Sequence, residues 1–403
     1  MNLRSRAAQE AVRLALLETE PAAVTDPTLA TGHAGSALLL SEIELGTSRR
    51  LAHAHLEQAV SALPAAPGLM TGVAGAAFAA LQLNRRHTDY ATLLQHLDTW
   101  LHEAARHLIQ ACDQQRASSP PQLRMSTYDT VSGLCGLGAY LLRRCRPSCQ
   151  DLRAVLSCLT RLAPQPAGEN LPSPGWWITG PPSPDSPPAY HNGHANLGLA
   201  HGIAGPLALL SLAHRRGVNV PGHLDAISSI ARWLIARRVN SSHRHAWWPS
   251  HLTAAQEAGK ETLDSAPTQL AWCNATPGIS RALQLASLAV QRPDWNTLAV
   301  STFLSAMAVP HLRQAVNSPS VCHGWAGLLQ ITTRLRQDCH GPTAHQRLTR
   351  LARLLAERTL STAQDHTPET SGLLFGPTGV ALALHSYAYP SRHGDWDAAL
   401  LLA

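Results

Sequence analysis

Asn196-Leu197-Gly198-Leu199-Ala200-His201-Gly202-Ile203-Ala204-Gly205 runs directly into Pro-Leu-Ala-Leu-Leu-Ser-Leu, so a Gly-x-x-Gly step opens an Ala/Leu-rich segment. The step recurs as Gly32-His33-Ala34-Gly35, Gly72-Val73-Ala74-Gly75, Gly133-Leu134-Cys135-Gly136, Gly324-Trp325-Ala326-Gly327 and Gly376-Pro377-Thr378-Gly379. Ala275-Thr276-Pro277-Gly278 is a degenerate copy. One such step carries almost no information; seven in a single chain define a repeat. Between the steps, apolar residues fall at helical spacing, as at Leu94, Leu97, Leu101 and Leu108, and strand-like alternation is nearly absent. Each unit therefore reads as a helical hairpin: an outer amphipathic helix, a connection, then an inner helix of small residues that starts at the step. Glycine there permits close backbone approach or unusual dihedrals. Such faces are buried only by stacking neighbouring units, in an open solenoid or a closed ring. Small inner residues favour closure, which makes residues 1–403 one all-α domain. Two stretches break the rhythm, the Pro-rich 163–189 with Gly175-Trp176-Trp177, and 240–268 with Trp247-Trp248-Pro249. Both precede a step and are expected to overhang the face where the inner helices begin, shaping a cleft.

Composition narrows the function classes. Apolar residues make up 45% of the chain and charged ones 14%, so it can bury a core and is not disordered. The net charge of +6 does not point to nucleic acid, because the arginines are scattered, as in Arg85-Arg86, Arg143-Arg144 and Arg237-Arg238, and Lys260 is the sole lysine. There is no apolar run of about twenty residues to span a membrane. Met1-Asn2-Leu3-Arg4-Ser5-Arg6 leads into a polar helix, not a signal core. A cytoplasmic protein follows, whose eight cysteines are expected as buried thiols or metal ligands. Cys112, Cys135, Cys145, Cys149, Cys158 and Cys339 read as buried or incidental.

Two copies carry more. Trp272-Cys273 precedes the fifth step and Cys322-His323 the sixth, so repeat equivalence predicts that the three side chains converge. Two thiolates and an imidazole suit zinc with a fourth tetrahedral position open, which points to catalysis. The bland alternative is that both cysteines are small buried hydrophobes. His201 directly precedes its step, as His323 does, and Asp129 lies four residues before Gly133. His201 either caps and packs locally or transfers protons in the same mouth. His33 and His194 read as partners in local hydrogen bonds.

These residues resemble the lanthionine synthetase C family, the cyclases that close thioether rings in lanthipeptides. The resemblance runs over nearly the whole chain, through Tyr128-Asp129-Thr-Val-Ser-Gly, Pro174-Gly175-Trp176-Trp177, the Asn196–Leu207 block, Trp272-Cys273, Cys322-His323-Gly324, Gly372-Leu-Leu-Phe-Gly376 and Trp396-Asp397. It implies an α/α toroid of seven inner and seven outer helices, in agreement with the repeat count. It also implies zinc (Zn2+) on Cys273, Cys322 and His323, His201 as catalytic histidine, and Asp129 as active-site aspartate. The block order resembles a stand-alone class I cyclase, whose substrate is a dehydrated precursor peptide and whose partners include a dehydratase and a transporter. Two departures from the family pattern stand out: Asn274-Ala275 stands where Tyr-Gly is usual, and Gln269 where an arginine is common. The alternatives are a relative that adds glutathione or another small thiol to electrophilic proteins, and a non-catalytic scaffold for a dehydratase.

Overall fold

A computed structural model describes residues 2–18, 20, 24–43, 46–86, 88–118, 122–164, 174–241, 245–263, 269–274, 276–365, 370–391 and 394–403. Among these, fourteen helices of ten residues or more alternate between two kinds. One kind follows the Gly-x-x-Gly steps and is buried almost all round: His33–Glu42, Val73–Arg86, Leu134–Arg144, Ala204–Arg215, Thr276–Ala289, Trp325–Gln337 and Pro377–Ala388. The other kind buries one stripe. In Pro342–Asp365 the buried residues include Leu348, Ala352, Leu355, Thr359 and Ala363, at three- and four-residue spacing. No described helix is long and apolar enough to cross a membrane.

Contacts gather into two compact units, residues 1–103 with 316–403, and residues 104–315. In the first, His33–Glu42 packs on Ser48–Ala62, Trp325–Gln337 on Pro342–Asp365, and Pro377–Ala388 on both Leu3–Leu17 and His33–Glu42. In the second, Leu134–Arg144 packs on Gln150–Thr160 and Ala204–Arg215, and Thr276–Ala289 on Ala204–Arg215 and Pro293–Met307. This shifts the expected hairpin by one helix. Among its amphipathic neighbours, a small-residue helix packs most on the one that follows it, except Val73–Arg86, which packs on the preceding Ser48–Ala62, and the last one, which is served by Leu3–Leu17. The reason is loop length: 43–47, 145–149, 290–292 and 338–341 are short, which favours antiparallel neighbours.

The second glycine of a step is required by close approach. A Cβ on Gly327 would sit 1.9 Å from the Val321 carbonyl oxygen, and one on Gly379 2.0 Å from that of Leu373. Left-handed dihedrals play no part, since the helix-opening Gly324 and Gly376 have φ of −123° and −92°. The loops before the steps are tied by main-chain bonds between matching positions. In the first unit the Cys322 N–H donates to Leu374 O (3.0 Å), Leu374 N–H to Ala30 O (2.9 Å) and Ala30 N–H to Met70 O (3.0 Å). In the second, Thr130 N–H donates to Ala200 O (2.9 Å) and Ala200 N–H to Cys273 O (3.0 Å). All but Thr130 are the second residue before their step.

The two insertions are ordered where described, while 165–173, 242–244 and 264–268 lie outside the described residues. Trp176 is fully buried, edge-on to Trp233 at 4.7 Å, and Trp248 Nε1 donates to Leu234 O at 2.7 Å, so both insertions are pinned to His223–Ala236. Both also pair with the strand between them: His194–Asn196 runs antiparallel to His251–Thr253, and Ile178 bridges to His194. Sequence alternation gives no sign of these short strands. At the carboxyl end, buried Asp397 accepts from Gln330 Nε2 (2.7 Å) and from Arg334 Nε and Nη2 (both 2.6 Å), and Trp396 Nε1 donates to Ser386 Oγ (2.9 Å). The closing Trp-Asp thus ties the last segment to two small-residue helices.

Candidate active site

Asp129 caps the short helix Met125–Tyr128 and its side chain is 2% exposed. Its Oδ1 accepts the backbone N–H of Ser132 (2.7 Å) and Gly133 (2.9 Å), at the start of Leu134–Arg144. Those bonds pair two amides of the loop just before that helix and fix the carboxylate. Oδ2 is left for His201 Nδ1 at 2.6 Å, and the phenol of fully buried Tyr128 donates to His201 O at 3.0 Å. Burial of Tyr128, with the charge of Asp129 beside it, holds the phenol pKa well above its usual value, so it stays a donor.

His201 is the exposed member, its side chain 39% accessible. Burial of the ring favours the neutral form, but the hydrogen bond and negative charge of Asp129, with a smaller electrostatic contribution from Cys273, outweigh it and raise the imidazole pKa. With Nδ1 engaged by Asp129, Nε2 is left for chemistry. His201, Asp129, Met125, Ser126, Ser132 and Ile178 border a cavity of about 600 Å3. A larger groove of about 900 Å3 beside Arg49, His53 and Tyr90 holds none of the candidate residues.

Near this pair lies His251, which the sequence reading did not single out. Asn196 Nδ2 donates to His251 Nε2 at 3.2 Å and its Oδ1 accepts from Gly198 N at 2.8 Å. Burial, then the neighbouring His194 and His201, push the His251 pKa down to about 4, so this ring is neutral at physiological pH. His194 donates from Nδ1 to Gly180 O at 2.9 Å, a local bond as expected. His33 bonds to the Val24 backbone and also meets His55, far along the chain, Nδ1 to Nδ1 at 2.9 Å.

Cys273 and Cys322 are buried and His323 is exposed. Each offers one ligand atom, and the three atoms lie within 4.8 Å of one another. Cys322 Sγ is 3.9 Å from His323 Nε2. Ligand atoms around a tetrahedral zinc, with Zn–S near 2.3 Å and Zn–N near 2.0 Å, sit roughly 3.5–3.8 Å apart. The donor set and its spacing are therefore compatible with a metal site. The His323 ring stacks on Phe375, centroids 6.2 Å apart at 23°, a neighbour that only the closing Gly372–Gly376 motif brought into view. At the first departure, Asn274 accepts from Ser250 Oγ through its carbonyl, while its side-chain oxygen is buried near Gly198. Ala275 lies outside the described residues.

Comparison with known proteins accords with this architecture. The chain is 26% identical over 386 residues to the nisin biosynthesis protein NisC of Lactococcus lactis subsp. lactis, covering 93% of this chain and 88% of that protein. The solved structure of nisin cyclase superposes with a TM-score of 0.81 at 23% identity, covering 100% of this chain and 98% of that one. The all-α fold read from the repeats and the α/α toroid that the resemblance implies are those of this structure. Described as lanthionine synthetase C-like protein, the family whose model matches residues 23–401 takes in almost the entire length, and this chain belongs to it.

Proposed function

We propose that this protein is a zinc-dependent lanthipeptide cyclase that adds peptide cysteine thiols to dehydrated Ser or Thr residues, forming lanthionine and methyllanthionine rings. The observation that carries the reading is the donor group of Cys273, Cys322 and His323, in a family and fold shared with nisin cyclase. Bound there, zinc would supply the Lewis acidity that ionises a thiol at neutral pH, against a free pKa of about 8.5.

The remaining chemistry is a balanced addition. The peptide S–H is lost, a C–S bond forms at the β-carbon, the C=C π bond breaks, and the α-carbon takes a proton, so mass is unchanged. His201 moves that proton at Nε2, as base toward the thiol, acid toward the enolate, or both. Asp129 holds Nδ1–H and supports the charged ring; its own place is fixed by two backbone amides. His251, held neutral by Asn196 and burial, adds no second positive charge beside His201. A dehydratase supplies the substrate in this reading and a transporter takes the product.

The test combines metal analysis with mass spectrometry after thiol alkylation, which separates open from closed rings. Cys273→Ala and His323→Ala are expected to lose zinc and ring closure together. A wild-type protein that purifies without zinc, or variants that close rings normally, would overturn the reading. Glutathione adducts without rings would favour the small-thiol alternative.

A further inference from the structure

The chain has three phenylalanines, and two of them, Phe78 and Phe303, are completely buried. Phe375 is 46% exposed. A single exposed apolar side chain is ordinary; the place of this one is not. It directly precedes Gly376, as His323 precedes Gly324 and His201 precedes Gly202, so it occupies the repeat position that carries both candidate functional imidazoles. Its ring lies beside that of exposed His323, and nearly half of the residue is open to solvent.

We propose that Phe375 is a specificity-determining residue, whose exposed ring takes an apolar side chain flanking the reacting cysteine of the peptide. This rests on the cyclase reading above. A cysteine engaged beside His323 brings its chain neighbours to the Phe375 ring, because the rings are 6.2 Å apart and an extended peptide advances about 3.3–3.6 Å per residue. The first or second flanking residue then covers the ring. Desolvating both apolar surfaces favours Leu, Ile or Phe there over Ser or Asn.

The test uses short synthetic peptides with one cysteine flanked on both sides by either Leu or Ser. Each is made in an unreactive form, with alanine in place of dehydroalanine, and in a reactive form. Equilibrium binding is read by fluorescence anisotropy on the unreactive form, ring closure on the reactive form, and zinc content on every protein. Wild type is expected to prefer the Leu-flanked peptide. Phe375→Ala should weaken that peptide's Kd about tenfold and leave the Ser-flanked peptide within about twofold, with zinc retained. Phe375→Leu, still apolar, should recover most of the preference. Equal weakening of both peptides, or loss of zinc, would mean that the ring only braces His323 and would overturn the proposal, as would an unchanged Phe375→Ala. Binding does not require turnover, so retained selectivity without ring closure would sink the cyclase reading and spare the assignment of Phe375.

Discussion

Two histidines at two glycine steps show how two residues of offset change the chemistry. His33 follows the first glycine of its step and His201 precedes it. His33 opens the helix His33–Glu42, is 4% exposed, and bonds to His55, itself fully buried and bonded through Nε2 to Glu18 O at 2.8 Å. Burial first, with the neighbouring ring adding to it, drives His55 to a pKa of about 4. Were both rings charged, two Nδ1 donors would oppose each other. His201 faces a carboxylate from a half-open position, and its pKa rises. The small-residue helix interior makes a neutral packing element of one histidine; the loop before the step gives the other an acid partner and access to solvent.

The largest expected effect breaks the reactive side of this contrast. His201→Ala should slow ring closure by roughly 10²–10⁴-fold while zinc stays bound, as measured by alkylation and mass spectrometry. Asp129→Asn should fall in the same range, because it removes the charge that supports the ring. Normal rates in both would strip the pair of its assigned role.

The buried side gives an effect of about 3 kcal/mol, the shift of His55 from 6.5 to about 4 expressed as free energy. The folded pKa lies below the unfolded one, so the unfolded chain binds protons first. Stability is complete above pH 6.5 and declines as pH drops toward 4. Glu18 works in the opposite direction: burial raises its carboxyl pKa, so folding favours its protonation and offsets part of the loss at the acid end. Other buried histidines, His194, His223 and His251, are lowered too, so the diagnostic quantity is the difference between wild type and His55→Gln. Urea unfolding across pH 7 to 5 should show a shallower decline in the variant; parallel curves would refute this account. His201, with a raised pKa, contributes stability below its unfolded value that disappears as pH climbs through the folded one.

The smallest effect sharpens the boundary. Tyr128→Phe removes the hydroxyl donor to His201 O and should cost about 1 kcal/mol in unfolding free energy, with ring closure slowed less than in Asp129→Asn. A rate loss as large as that of Asp129→Asn would move Tyr128 from holding the loop to the chemistry.

What the sequence disclosed is whatever the repeat imposes. The glycine steps mark the starts of seven buried helices, and Cys273, Cys322, His201 and His323 stand out because they occupy matching places before those steps. Asp129 was legible through its distance from Gly133, whose amide it caps. The remainder depends on long-range contacts without a local period. Nothing near His251 announces Asn196, and the pinning of both insertions to His223–Ala236 needs tryptophans at two separate sites. Periodicity identifies Ser48–Ala62 as amphipathic but does not reveal that His55 on its buried stripe meets His33. Which amphipathic helix serves which small-residue helix is decided by loop lengths, and the glycine pattern is silent on those.

The main-chain ties between successive loops have a bearing on how such a protein changes over time. Each runs from amide to carbonyl and makes no demand on the side chain, so Ala30, Met70, Ala200, Cys273, Cys322 and Leu374 all fill the same socket. Reactive groups can be gained, lost or moved from one socket to another while the frame remains intact. On the proposed reading, two of the three zinc ligands, Cys273 and Cys322, are fittings of this kind, open to exchange at little cost to folding.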